Sequence, residues 1–288
     1  MIWQLFIILF FVSGAAAYIL RRSLAVSLSK YNLLVNAFAI VVVLYPLGLI
    51  VALFTNANLS IGWLNFAILI IAGCVFPLIN LLTFRASKDI DAGLLTILSN
   101  IAPVITIITA TILLNEGLSG MQLVGVGVIL ASAFLATAVG LRRHPKATSS
   151  GLVFAVVGVC LLGLAIVFER WMLTRIDFGA YLVFGWGAQA LWSIGFAWSR
   201  RRDLKVLITT KHLVSIISFS TASALKGLFF VAALSFSGNA SVVSAYSSFM
   251  PVLVVVTAYF VLREKESVGV KFAAAAIGAV GLIVLNVT

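Results

Sequence analysis

The sequence predicts an all-α integral membrane protein: ten transmembrane helices built as two inverted five-helix repeats around a central cavity. Three observations carry this. The 288 residues are 63% hydrophobic and 9% charged, with a mean hydropathy of +1.21, whereas soluble chains run near 45–50% apolar and a quarter charged. Apolar stretches of about 20 residues, the length that crosses a bilayer as a helix, recur along the whole chain. One such stretch is repeated near half the chain length away.

The spans are expected near 3–20, 33–54, 62–84, 92–114, 121–141, 151–173, 180–198, 213–236, 239–262 and 268–287. Span one, "MIWQLFIILFF", lacks a basic leading segment and has its arginines behind it, so it reads as an anchor rather than a cleaved signal peptide. Span two, "VVVLYPLGLIVALF", does not alternate apolar and polar residues as a barrel strand would, nor does "AAAAIGAVGLIVL" of span ten. Span three carries Asn80, and span four carries Ser99, Asn100 and Pro103. Span five is rich in small residues. Span six holds Cys160 and Glu169, and span seven contains "FGWGAQALW", where Trp186 between Gly185 and Gly187 has the clearest room to swing. Span eight places Lys226 near mid-depth in "SALKGLFF", and span nine holds Tyr246, Ser247 and Pro251.

The net charge of +11 follows topology, not nucleic-acid binding. Of 19 Lys and Arg residues, 16 fall in the connections after spans one, three, five, seven and nine, from Arg21, Arg22 and Lys30 to Arg263, Lys265 and Lys271. The other connections hold only Arg170 and Arg175. Basic loops remain cytoplasmic, so both termini are expected outside the cell's inner (plasma) membrane. Cys74 and Cys160 lie in different spans, and His144 and His212 lie at loops or span edges, so no metal, cofactor or disulfide is expected. No nucleophile–base pair and no phosphate-cradling loop is present, which argues against an enzyme.

Aligning "SNIAPVITIITATILLNEG" with "SSFMPVLVVVTAYFVLREK" at an offset of 148 superimposes Ser99 on Ser247, Pro103 on Pro251, Thr109 on Thr257 and Glu116 on Glu264. Two copies of five spans, 1–143 and 144–288, enter the membrane in opposite senses, the architecture in which a site between the copies can face either side in turn. Pro103 and Pro251 each remove a helical donor and bend their span. For either proline alone a structural bend satisfied by neighbouring helices is an equal reading, but a matched pair in two inverted halves points to a central cavity. Glu116 and Glu264 read as structural turn residues, each followed three positions later by a serine, Ser119 or Ser267, placed to cap the next helix.

The stretch "ILSNIAPVITIITATILLNEGLSGMQLVGVGVILASAFLA" strongly resembles the EamA-type half-domain of the drug/metabolite transporter superfamily, and "AYSSFMPVLVVVTAYFVLREKESVGVKFAAAAIGAVGLIVL" resembles it more weakly. The second copy lacks the Gln/Gly spacing that Gln122 and Gly125 keep in the first, and family members are commonly drawn with both ends in the cytoplasm. The resemblance implies a cavity surrounded by spans one to four and six to nine, spans five and ten at the periphery, and secondary transport, usually export, of small metabolites, amino-acid-like or amphipathic compounds.

Polar side chains at mid-depth usually face the bundle interior. The substrate-binding candidates are therefore Asn36 and Tyr45, Asn80, Ser99 and Asn100, Glu169, Trp186 and Gln189, Lys226, and Tyr246 with Ser247 and Ser248; any one amide or hydroxyl alone is better read as a helix–helix hydrogen bond, and it is the set, spread over the cavity spans, that points to a ligand. For Lys226 three readings stand: a wet cavity where it meets an acidic or zwitterionic substrate, an ion pair with Glu169, or a neutral buried amine. Spacing puts Ser215, Ala222, Ser223 and Phe230 near its face. The expected partners are a small-molecule substrate and the lipid bilayer, with no nucleic acid, and the chain is expected to act as a monomer. A membrane assembly or scaffold subunit without transport of its own is the competing class. Intramembrane charges argue against it, and solute movement in vesicles holding only this protein separates the two.

Overall fold

In a computed structural model the described residues, which are 2–89, 98–99, 101–141, 149–209, 212–250, 252–254, 257 and 268–286, are helices joined by short turns and loops. Helix α1 runs Ile2–Ser27. The sequence places Arg21 and Arg22 in a loop, but "LRRSLAVS" contains no helix breaker, and leucine and arginine are good helix formers. The arginines therefore belong to the helix.

Helix α2, Asn32–Phe54, opens as an α-helix, widens to a π-helical segment over Ala39–Leu44 and resumes at Tyr45. Pro46 explains the widening, because it has no amide for the Val42 carbonyl and its ring crowds the preceding turn. The helix ends at Phe54, and Asn56 just beyond it lies in the left-handed region at φ 48°, the usual asparagine or glycine stop. The predicted third span is broken into α3 (Trp63–Ala72) and α4 (Val75–Asp89) at Gly73 and Cys74. The cause is again a proline four residues on: Pro77 cannot bond to the Gly73 carbonyl.

Helix α5 (Ile101–Leu114) stops at Asn115, φ 57°. Ser119 then caps α6 (Gly120–Leu141) as expected: its Oγ accepts the Gln122 amide at 3.2 Å, and Gln122 Oε1 accepts the Ser119 amide at 2.9 Å. Ser267 lies outside the described residues. Helix α7 is Ser149–Leu173. Helix α8, residues 178–197, repeats the device of α2, with a π-helical segment over Tyr181–Gly185 before Trp186. Short α9 (Leu204–Thr209) leads to α10 (Leu213–Ser237), α11 (Ala240–Ser247) and α12 (Val268–Asn286).

Among the described residues five helices are long and apolar enough to cross a membrane: Ile2–Arg21, Asn32–Phe54, Trp63–Ala86, Ser150–Leu173 and Leu213–Ser237. Shorter apolar helices include Ile101–Leu114 and Gly120–Ser132. Leu53, Phe54 and Trp63 are 77%, 82% and 78% exposed. Large apolar side chains exposed in such number are what a helix facing lipid presents.

The chain forms two compact units, Met1–Phe84 with Phe168–Phe236, and Arg85–Val167 with Ser237–Thr288. Each unit draws on both halves of the sequence. In lipid, apolar side chains gain little by leaving their solvent, so close backbone approach at small residues holds helices together. In the first unit Gly73 meets Ala188, where an added Cβ would stand 2.6 Å from the alanine methyl. The Trp192 indole donates to the Ile70 carbonyl at 2.7 Å, near the broken end of α3. In the second unit α6 and α12 touch through Gly281, where a Cβ would stand 2.7 Å from Ile129.

Candidate functional site

The polar and aromatic residues singled out in the sequence fall into both units. In the first, the two π-interrupted helices exchange aromatic residues. Tyr45 follows the π segment of α2 and packs on Gly187 of α8, where a Cβ would stand 3.3 Å from its ring. Trp186 follows the π segment of α8 and packs on Gly48 of α2, where a Cβ would stand 2.7 Å from its ring. Each aromatic thus fills the space left by the other helix's glycine. This corrects one expectation. Trp186 has no room to swing: it is 2% exposed and lies in an apolar cluster with Leu69, Met172, Leu182 and Leu228. Gly187 admits Tyr45, not motion of the tryptophan.

One helical turn before this contact, the Tyr181 hydroxyl donates to Glu169 Oε1 at 2.7 Å. Both residues are buried, at 2% and 3% exposure. The glutamate comes from the end of α7 and the tyrosine from the π segment of α8. Asp177 orients that segment by accepting the Gly179 amide at 2.8 Å, an N-cap at the start of α8. Asn36 and Gln189 are buried as well, on α2 and α8, and Asn80 on α4 is half-buried.

Lys226 is not brought to Glu169; among the described residues no ion pair joins them. Its ammonium lies 5.0 Å from the centre of the Tyr18 ring on α1. The two helices meet along an antiparallel aromatic seam, with Phe10 against Phe230 at 5.2 Å and Phe6 against Phe229 at 6.4 Å. The seam continues to Arg21, whose guanidinium lies 5.7 Å from the Phe219 ring centre, 5.4 Å from Phe84 and 5.9 Å from Tyr18. Phe219, Lys226 and Phe230 share one face of α10 by their spacing of seven and four. Sequence reading passed over Arg21 because it assigned the residue to a loop. The signal was the missing breaker between spans one and two.

In the second unit Pro103 is buried in α5. Beside it Thr106 Oγ1 donates to the Gly163 carbonyl of α7 at 3.0 Å, and a Cβ at Gly163 would stand 2.8 Å from the Ala102 carbonyl. Glu116 ties this region to α11: its Oε2 accepts the Ala240 amide at 2.7 Å and its carbonyl accepts the Ser241 hydroxyl. The structural part assigned to Glu116 is therefore visible in its bonds. Ser99 is half-buried and Tyr246 buried. The Ser247 and Ser248 hydroxyls turn back onto the Ser244 carbonyl at 2.8 and 3.2 Å, which bends a helix slightly and leaves them poorly aimed at any ligand. Ser244, not singled out before, buries its Oγ with no hydrogen-bond partner among the described residues. The three-residue spacing of Ser241, Ser244 and Ser247 was the signal for that face. Asn100, Pro251 and Glu264 lie outside the described residues. Among the described residues no three His, Cys, Asp or Glu side chains are grouped to hold a metal.

Residues 1–138 match the model of the EamA-like transporter family. No curated protein matches the chain. A solved structure, titled only "Crystal structure of protein", is similar over 96% of this chain and 96% of its own, with a TM-score of 0.69 and 17% identity. That likeness concerns the fold alone.

Proposed function

We propose that this chain, a multi-pass membrane protein whose residues 1–138 carry an EamA-like transporter domain, is a secondary transporter that exports small metabolites, amino-acid-like or amphipathic compounds. On this reading ten spans form two inverted repeats, 1–143 and 144–288, around a central cavity. Both termini face outside the inner membrane, and the protein works as a monomer with no catalytic step. Alternating access exposes the cavity to one side and then the other as spans bend.

The observation that carries the reading is the exchange between α2 and α8. Each helix is interrupted by a π segment within the apolar stretch, and each places an aromatic residue on the other's glycine. Interruptions of this kind gather at functional sites and at bends, and two in paired helices give the bundle joints about which a cavity could open. The buried Glu169, Asn36 and Gln189 and the half-buried Lys226 supply chemistry that a scaffold would have no reason to keep at such cost.

The test is efflux from liposomes holding only the purified protein and preloaded with a mixed metabolite extract. At least one compound should leave faster than from protein-free liposomes, and Trp186→Ala should abolish the difference. Efflux equal to the protein-free control for every compound would leave the scaffold reading in its place.

A further inference from the structure

Two cations converge on one tyrosine inside the first unit. Arg21 and Lys226 lie 5.9 and 5.0 Å from the centre of the Tyr18 ring, so at most about 11 Å, the sum of the two distances, separates them. Neither has a carboxylate partner among the described residues. The unit's own acids are engaged elsewhere: Glu169 accepts the Tyr181 hydroxyl, Asp177 caps α8, and Asp203 lies 3.5 Å from Arg200. The aromatic rings around Arg21 compensate its charge only in part and accept none of its in-plane N–H groups. Its Nε is buried without a hydrogen-bond partner. A guanidinium held between ring faces keeps its edge for a planar, two-oxygen acceptor.

We propose that Arg21, Lys226 and Tyr18 form a binding site for a small organic dianion, bearing two carboxylates or one phosphate. The proposal rests on the transport reading above and names its substrate class. Two positive charges with no described acid beside them favour a dianion over a zwitterion, whose ammonium group would be repelled. Lys226 is one residue from the middle of α10, and Phe219, beneath Arg21, lies seven residues away, about 10 Å along the axis. The ligand would lie along the α1–α10 seam, one charge near mid-depth and the other near the Arg21 end of α1. The Tyr18 ring lies within 6 Å of both cations.

The experiment is a thermal-unfolding series on purified, delipidated full-length protein with succinate, glutarate, adipate and glycerol 3-phosphate, beside monomethyl succinate and succinamide. At least one dianion should raise Tm by about 3 °C or more, as ligand linkage gives at concentrations well above Kd. The matched monoester should give less than half that shift and the diamide none. Arg21→Gln and Lys226→Met should each remove the shift, whereas Arg201→Gln, which deletes a positive charge beside exposed Trp198, should keep it. If either neutral variant fails to fold, Arg21→Lys keeps the charge and loses the fork, and its affinity for the stabilising dianion should fall at least fivefold. Absence of any dianion shift, an equal shift with the monoester, or a shift or affinity indifferent to these substitutions would overturn the site. Stabilisation by phosphatidylglycerol alone would do so too, assigning the cations to a lipid headgroup. Liposome efflux on the same preparation keeps the two readings apart: dianion binding without transport of any solute removes the transporter reading and leaves the site, and transport without dianion binding does the reverse.

Discussion

Glu169 and Tyr181 are the clearest case at the scale of single residues. A carboxyl in the last turns of an apolar helix stands out in the sequence, and Glu169 was singled out for that reason. Its partner was not, because a tyrosine near a span end reads as an ordinary interface residue. Only the packing of α7 against α8 brings the two oxygens to 2.7 Å. Tyr181→Phe would leave the buried carboxyl without its donor and is expected to cost about 1–3 kcal/mol. Glu169→Gln keeps an acceptor for the hydroxyl and should cost less. Thermal unfolding of the two variants in detergent checks the order, and equal losses would mean the bond contributes little. The depth of Lys226 was legible by counting residues. Its neighbours on α1 were not, since nothing local to "SALKGLFF" says which helix lies alongside.

The informative features among the elements are interruptions. Pro46 and Pro77 widen α2 and divide the third span, each by withholding the amide that the residue four positions earlier requires. The π segment of α8 has no proline, so sequence gave little warning of it. Gly187→Val should force Tyr45 out of its seat, at about 1–3 kcal/mol for an overpacked site. If the joint matters for transport, efflux should fall further than the loss of folded protein explains, as measured by folded fraction and efflux on one preparation. Pro103→Ala probes the matched feature in the second unit. A straightened α5 should remain folded while transport declines, and unchanged efflux would reduce that proline to packing. Ser119→Ala tests the cap of α6: it should destabilise by about 1 kcal/mol and hasten amide exchange in the first turn after Gly120.

For the whole molecule, the split of 16 basic residues on one set of connections against two on the other predicts both termini outside. A C-terminal alkaline phosphatase fusion should be active and a C-terminal green fluorescent fusion dark; the opposite pair of results would reverse the orientation and with it the direction of the proposed cycle. Composition alone determined that the solvent is lipid, because a chain 63% hydrophobic cannot bury its apolar surface in water. The unbroken apolar runs determined that the elements are helices, because only helices and closed barrels satisfy their backbone in lipid and barrel strands would alternate apolar and polar residues. Caps such as Ser119 were readable because they depend on neighbours within four residues. The tertiary structure decided what depends on residues far apart in the chain: that Tyr45 and Trp186 seat on each other's helices, that Glu169 bonds to Tyr181 and not to Lys226, and that Arg21 is drawn into the seam of α1 and α10. In lipid no strong apolar force selects helix partners, so the choice rests on small steric fits at single glycines and aromatics, and those fits exist only once both helices are in place.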